Sequence, residues 1–296
     1  MQASSFFSKK PSGIMRVEID RVVAEFRGGV HRSVFSNKGI EFKRLRQYSS
    51  LDKPTAIDDM ASSRLSEDPV LEPYSRIPYA AKKISVVILF DIGDTMRAPS
   101  AKEDRAAKLF WFFALSAFKH YDLLRVIPYS ETPLGDSEWV SGEDELIEFF
   151  ARYALMSMPS PRFLRFRSVY SYLTHLELHD AAVFIISDFS HPWAEEESFL
   201  RRLNVRERNI KLIFFAIDDW EEFVLSGYAI TMRDPRTGRM REYSSGELQE
   251  KRMSALAHLA GIEEGLRHLG ATFIRIPLLA DPLLIVRQVF RRIGFK

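Results

Sequence analysis

Hydrophobic positions along the chain fall into two regimes that meet near residue 84. From there on, short apolar runs alternate with segments of helical period. Residues 84–90 (ISVVILF) form a continuous β-branched run, the pattern of a strand buried on both faces. Residues 102–119 follow as a helix that is apolar nearly all round, so it is expected to be mostly buried. Residues 123–129 read as a second strand and 137–140 as a short third one, and a helix opening on acids spans 142–156, as the helix dipole favours. The pattern then predicts a helix over 169–178, a strand over 181–187 (AAVFIIS), a helix over 195–205 and a strand over 210–217. A long helix over 247–269, a strand over 272–276 and a helix over 282–292 close the series. Strands alternating with helices predict an α/β fold with a mostly parallel, doubly wound sheet covered on both faces. One element breaks the rhythm. Two short runs within 228–243 flank Asp234-Pro235-Arg236-Thr237-Gly238, a turn sequence, and predict a β-hairpin inserted at about 224–245.

The first 83 residues lack this alternation. They are rich in charge and turn residues, their apolar runs are short, and 49–78 reads as loop-rich with one short helix. Runs this short cannot build a core alone, so 1–83 is expected to pack on a main domain at 84–296.

Composition narrows the function. At 296 residues and 34.2 kDa, with 46% hydrophobic and 28% charged residues, the chain is an ordinary globular sequence. The absence of cysteine excludes thiol nucleophiles, disulfides, iron–sulfur clusters and cysteine-based zinc sites. A net charge of +2 gives no electrostatic case for nucleic acid or an anionic membrane as the main partner. The most apolar long stretch, 106–118, is interrupted by Lys108 and falls short of the roughly 20 residues of a membrane span. With no secretory leader evident at 1–10, the expectation is a soluble, cytoplasmic protein.

In an open parallel sheet, ligands gather beyond the carboxyl ends of the strands, where strand order reverses. Two strands here end in acids. The first runs into Asp91-Ile92-Gly93-Asp94-Thr95 and the 181–187 strand into Asp188-Phe189-Ser190. If those strands are neighbours, Asp91, Thr95 and Asp188 meet as hard oxygen ligands of the kind that suits Mg²⁺. Each acid could equally cap a local turn.

These residues resemble the von Willebrand A fold and its metal-ion-dependent adhesion site, an Asp-x-Ser-x-Ser motif with a later Asp. Gly93 stands where the first serine belongs, Thr95 replaces the second, and only Ser168 roughly matches the usual loop threonine. The resemblance therefore implies a degenerate site of Asp91, Thr95, Asp188 and Ser168. A more specific resemblance lies upstream. Gly29-Val30-His31-Arg32-Ser33-Val34-Phe35, then the run 39–48 ending in Arg46-Gln47-Tyr48, then Ile57-Asp58 and Ser62-Ser63-Arg64, are similar in order and spacing to the domain-of-unknown-function family numbered fifty-eight. Two positions depart from it: Leu51-Asp52-Lys53 replaces Gly-Asp-Asp, and Asp59 replaces a tryptophan.

That resemblance implies a non-enzymatic adaptor of a MoxR-type AAA+ ATPase, acting in the assembly, maturation or metal loading of client proteins. It implies partner-binding candidates at Asp91, Gly93, Asp94, Asp188, Arg46, Tyr48, Asp58 and Arg64. The alternative is an Mg²⁺-dependent adhesion-type module that uses Asp91, Thr95 and Asp188. No Gly-x-x-x-x-Gly-Lys-[Ser/Thr] occurs, so any ATPase is a separate protein. Three other groupings weigh less. His175 and His179 are four apart, on one face of the expected helix, but lack a third ligand. Ser187-Asp188-Ser190-His191 has the letters of a hydrolytic triad without its elbow. Residues 162–167 (RFLRFR) interleave base and aromatic as single-strand binders do, and also as surface docking patches do.

Overall fold

The computed structural model describes residues 13, 16–19, 42–47, 57, 62–64, 73–78, 84–97, 100–130, 132–155, 163, 166–191, 193–203, 208–218, 230–233 and 237–294. The chain divides into two compact units, Met1–Phe35 with Ile84–Lys296, and Ser36–Lys83.

The larger unit is an α/β domain. Its sheet is built from β3 (Ser85–Asp91), β4 (Leu123–Tyr129), β5 (Ala181–Ser187), β6 (Lys211–Asp218) and β9 (Thr272–Pro277), in the order β4-β3-β5-β6-β9. All four pairings are parallel. Counted within the sheet the order is 2-1-3-4-5, and it reverses between β3 and β5. Each central strand buries both faces. Val86, Ile88 and Phe90 point into one core, and Val87 and Leu89 into the other, as the two-residue period of a strand dictates.

The helices divide between those two cores. The first core takes α2 (Ser100–Lys119), α3 (Glu143–Leu155) and α7 (Pro282–Gly294). The second takes α4 (Val169–Leu173), α5 (Ala194–Arg202) and α6 (Ser245–His268). A single turn, α1 (Asp94–Arg97), links β3 to α2. The aromatic stretch in α2 is core, as its spacing implies: Phe113 stacks on Phe184 of β5 at 4.0 Å between ring centroids. α2 ends where Tyr121 turns into the left-handed region (φ 59°), with Asp122 N–H donating back to the Ala117 carbonyl. Ile19 is fully buried in the first core, and Arg16 pairs with Glu143 at 2.9 Å.

The inserted hairpin is present as β7 (Ile230–Arg233) paired antiparallel with β8 (Met240–Tyr243), and Gly238 before β8 takes φ +72°, which suits glycine. Two expectations for this unit are corrected. Residues 137–140 do not form a strand. Only Val140 bridges β4, at Leu124, while Ser137 N–H bonds the Val126 carbonyl and Leu134 N–H that of Pro128. This segment covers the free edge of β4 as a loop, the usual protection of an edge strand. The expected 169–178 helix stops at Leu173: Thr174 N–H still reaches the Tyr170 carbonyl, but His175 N–H shortens to Tyr172, and the Thr174 and His175 side chains take the Ser171 carbonyl that the next turn would have used.

In the smaller unit, β1 (Phe42–Gln47) pairs antiparallel with β2 (Tyr74–Pro78), with a register shift between Phe42 and Arg44. The expected loop-rich 49–78 segment therefore ends in a strand. Its polar sequence conceals the pairing, which rests on backbone hydrogen bonds and needs no apolar run. Among the described residues, no helix is long and apolar enough to cross a membrane.

Candidate functional site

β3 and β5 are neighbours, with Phe90 paired to Ile186, so their carboxyl ends lie side by side at the point where strand order reverses. Asp91 is the last residue of β3, and Asp188 follows directly after β5. A shallow cavity of about 240 Å³ opens there, lined by Asp91, Gly93, Asp94, Thr95, Ser130 and Ser190, with His191 at its side.

The two acids are held differently. Asp91 is 5% exposed; its Oδ1 accepts from Gly93 N–H at 2.8 Å and its Oδ2 from the Ser187 hydroxyl at 2.5 Å. Asp188 Oδ1 accepts from Ser190 N–H at 3.0 Å. Its Oδ2 accepts from the ammonium of Lys102 at 2.9 Å, and the two side chains are 5% and 4% exposed. All four carboxylate oxygens thus carry a donor from the protein itself.

Electrostatics separate the pair. Burial, reinforced by the charge of Asp188, pushes Asp91 from 3.8 up to about 7, against the pull of Ser187, Gly93 and Lys102. Burial pushes Asp188 up as well, but there the ammonium of Lys102 prevails and holds the carboxyl below its ordinary value. Beneath Asp91 lie the hydroxyls of Tyr129 and Tyr170, both deeply buried, both raised well above the usual phenol range chiefly by burial.

The turn that aims Asp188 is strained. Phe189 has φ +52°, a conformation costly for a bulky residue, and the surroundings fix it there. Its ring is wedged among Trp193, Phe214 and Phe273, its N–H donates to Ser187, and its carbonyl accepts from His258 at 2.9 Å.

Of the other sequence candidates, Thr95 reaches Ser190, hydroxyl to hydroxyl at 3.0 Å, on the rim, and Asp94 is exposed at the start of α1. Gly93 fits closely: a Cβ there would lie 3.0 Å from Asp91 Oδ1. Ser168 is engaged elsewhere. Its hydroxyl accepts from Ser171 N–H as the N-cap of α4, and Ser171 reciprocates. Arg46 lies in β1 of the smaller unit, and Arg64 is exposed in a helical segment at 62–64 of that unit. Tyr48 and Asp58 lie outside the described residues.

Sequence reasoning missed Lys102, and it named Ser187 only as a triad letter and not as the donor to Asp91. A basic residue two positions into a helix otherwise bound for the core, just after an acid-tipped strand, is the signal that could have found Lys102. Three groupings dissolve. His175 and His179 share no helix face, since α4 ends before either. Phe163 and Phe166 of the basic–aromatic run are 2% and 6% exposed, so they are core rather than a stacking platform. Ser187 bonds Asp91 and not a histidine.

A divalent ion does not fit this donor set. Mg²⁺ needs oxygens free to approach to about 2.1 Å, whereas the buried ammonium of Lys102 already sits 2.9 Å from Asp188 Oδ2, where the ion would have to bind. Gly93 contributes no side-chain oxygen, and among the described residues no cluster of three or more His, Asp or Glu is placed to hold a metal.

No family model matches the chain, and no curated protein does at a significant level. Among solved structures it is similar to the conserved hypothetical protein BatB from Bacteroides thetaiotaomicron, with 13% identity and a TM-score of 0.42 over 72% of this chain and 100% of that one. It is also similar to an aerotolerance-related membrane protein from Bacteroides fragilis NCTC 9343, with 12% identity and a TM-score of 0.38 over 71% and 97%. Likeness at this level is to the general α/β arrangement and carries no argument about what the chain does.

Proposed function

We propose that the chain is a von Willebrand A-like, non-enzymatic adaptor that works in the cytoplasm with a MoxR-type AAA+ ATPase, in the assembly, maturation or metal loading of client proteins. One observation carries the reading. The two acids brought together at the switch point have every oxygen on an internal donor, which leaves Asp94, Thr95, Ser190 and His191 as a preformed contact rim. A reaction centre needs a base or nucleophile with a lone pair aimed at substrate, and a docking pole does not. The class of partner comes from the resemblance of the 29–64 stretches, and the motor is separate because the sequence has no P-loop.

The test is affinity capture of the full chain with a MoxR-type ATPase, with and without nucleotide. Capture that depends on the nucleotide state supports the adaptor, and no capture in any state overturns it. A second reading, an Mg²⁺-dependent adhesion module on Asp91, Thr95 and Asp188, requires Lys102 to leave Asp188. Calorimetry with Mg²⁺ separates the two, since heat that disappears in Asp91→Ala would replace the first reading with the second.

A further inference from the structure

Lys102 is an unusual residue to find where it is. It sits near the start of α2, whose body is packed against the sheet, and it is 4% exposed. A helical side chain leans toward the helix N-terminus, and here that direction is the carboxyl edge of the sheet. The ammonium lands 2.9 Å from Asp188 and within electrostatic reach of Asp91. Two buried carboxylates side by side repel, as the upward push of Asp188 on Asp91 records. A pole of this kind therefore needs a cation.

From this geometry we infer that Lys102 is that cation: a tethered ammonium, paired with Asp188 beside Asp91, that takes the place of a divalent ion and makes the pole metal-independent. Lysine suits the position as a compact point charge with three donors on a flexible stem. It meets hard carboxylate oxygens as a metal would, but with one charge instead of two. Because it is covalently attached, its effective concentration does not depend on the ionic composition of the medium. It also excludes a competitor, since a second cation beside it would be repelled at short range in a water-poor site.

The consequence is latent metal chemistry. Without Lys102, Asp91 and Asp188 face each other with an unbalanced charge, and the Thr95 and Ser190 hydroxyls stand 3.0 Å apart on the same rim. Removal of the ammonium opens a divalent-cation site built from Asp91 and Asp188. The inference concerns this pole alone and holds whichever partner docks there, so failure to capture an ATPase leaves it standing.

The test is Mn²⁺ binding, counted by the loss of the free-ion paramagnetic resonance signal and by calorimetry on the full chain. Wild type should show no site that depends on Asp188. Lys102→Ser should gain one Mn²⁺ per chain, at least tenfold tighter than any wild-type binding, and lose it when Asp188→Asn is added. Lys102→Gln, which retains a donor for Asp188, replaces the serine variant if that one does not fold. If neither folds in chelator, recovery of folding in millimolar Mn²⁺ supports the inference and its failure opposes it. A wild-type site as tight as that of the variant, or folded variants that gain none, overturns it.

Discussion

Asp91→Asn should stabilise the protein at pH 8 and leave it nearly unchanged at pH 5. The Asp91 carboxyl is pushed from 3.8 to about 7 in the folded chain, first by burial and then by Asp188. Between those pH values the folded protein holds a proton that the unfolded chain has lost. The stability this contributes is complete below 3.8 and disappears as pH rises through about 7. At about 1.36 kcal/mol per pH unit, the full effect is on the order of 4 kcal/mol. An asparagine in its place would be neutral at every pH and would keep an acceptor for Gly93 N–H. Its amide would face Ser187, which must then accept where it now donates, at a cost of about 1 kcal/mol. By pH 5 the wild type has already lost about 1.6 kcal/mol of that stability, so the variant is expected to be about 3 kcal/mol more stable than wild type at pH 8 but within about 1 kcal/mol of it at pH 5. Asp188 does not confuse the comparison. Held below its ordinary value, it contributes stability that is lost only in more acidic solution. Urea denaturation of both proteins at the two pH values, with unchanged m-values, measures the difference. An identical stability difference at pH 5 and pH 8, or a variant that is less stable at pH 8, would refute the placement of Asp91 as a buried acid against Asp188.

Four further outcomes follow from the packing. Asp136, its side chain 1% exposed, accepts from Arg125 at 2.9 and 2.6 Å, from Glu138 N–H and from the Tyr172 hydroxyl. Asp136→Ala leaves Arg125 without its carboxylate and should cost about 3 kcal/mol, read as a lower urea midpoint. Phe113→Ala removes the ring stacked on Phe184 and opens a cavity in the first core, a loss of about 4 kcal/mol by the same assay. Gly93→Ser restores the missing hydroxyl position but sets a Cβ 3.0 Å from Asp91 Oδ1. It should lower the melting temperature and create no Mg²⁺ heat in calorimetry. Ser244→Ala deletes the capping box with Glu247 and should cost about 1 kcal/mol, with faster amide exchange confined to the first turn of α6.

The sheet was legible because its strands are continuous apolar runs. Buried on both faces, 84–90 and 181–187 leave no period to misread, and Asp91 and Asp188 mark their ends. The adjacency of those two strands is not a local property. It follows from the crossover order of the sheet, which the sequence only permits. Segments held by backbone and turn geometry were hidden. Val140 bridges β4 without a strand around it, β2 pairs through its backbone within a largely polar stretch, and α4 stops at Leu173, where the side chains of Thr174 and His175 occupy the Ser171 carbonyl. The pole was half visible: the acids stand out, but Lys102 looks like the solvent-facing residue of a helix until the fold turns it toward Asp188.

The most direct test of the docking pole is a titration of purified MoxR-type ATPase with wild-type chain and with Asp94→Arg, a change on the exposed rim that touches neither buried acid. Saturable binding by wild type, weakened at least tenfold in the variant with an unchanged circular dichroism spectrum, is the expected result. Equal binding by the two proteins, or none by wild type, would contradict it.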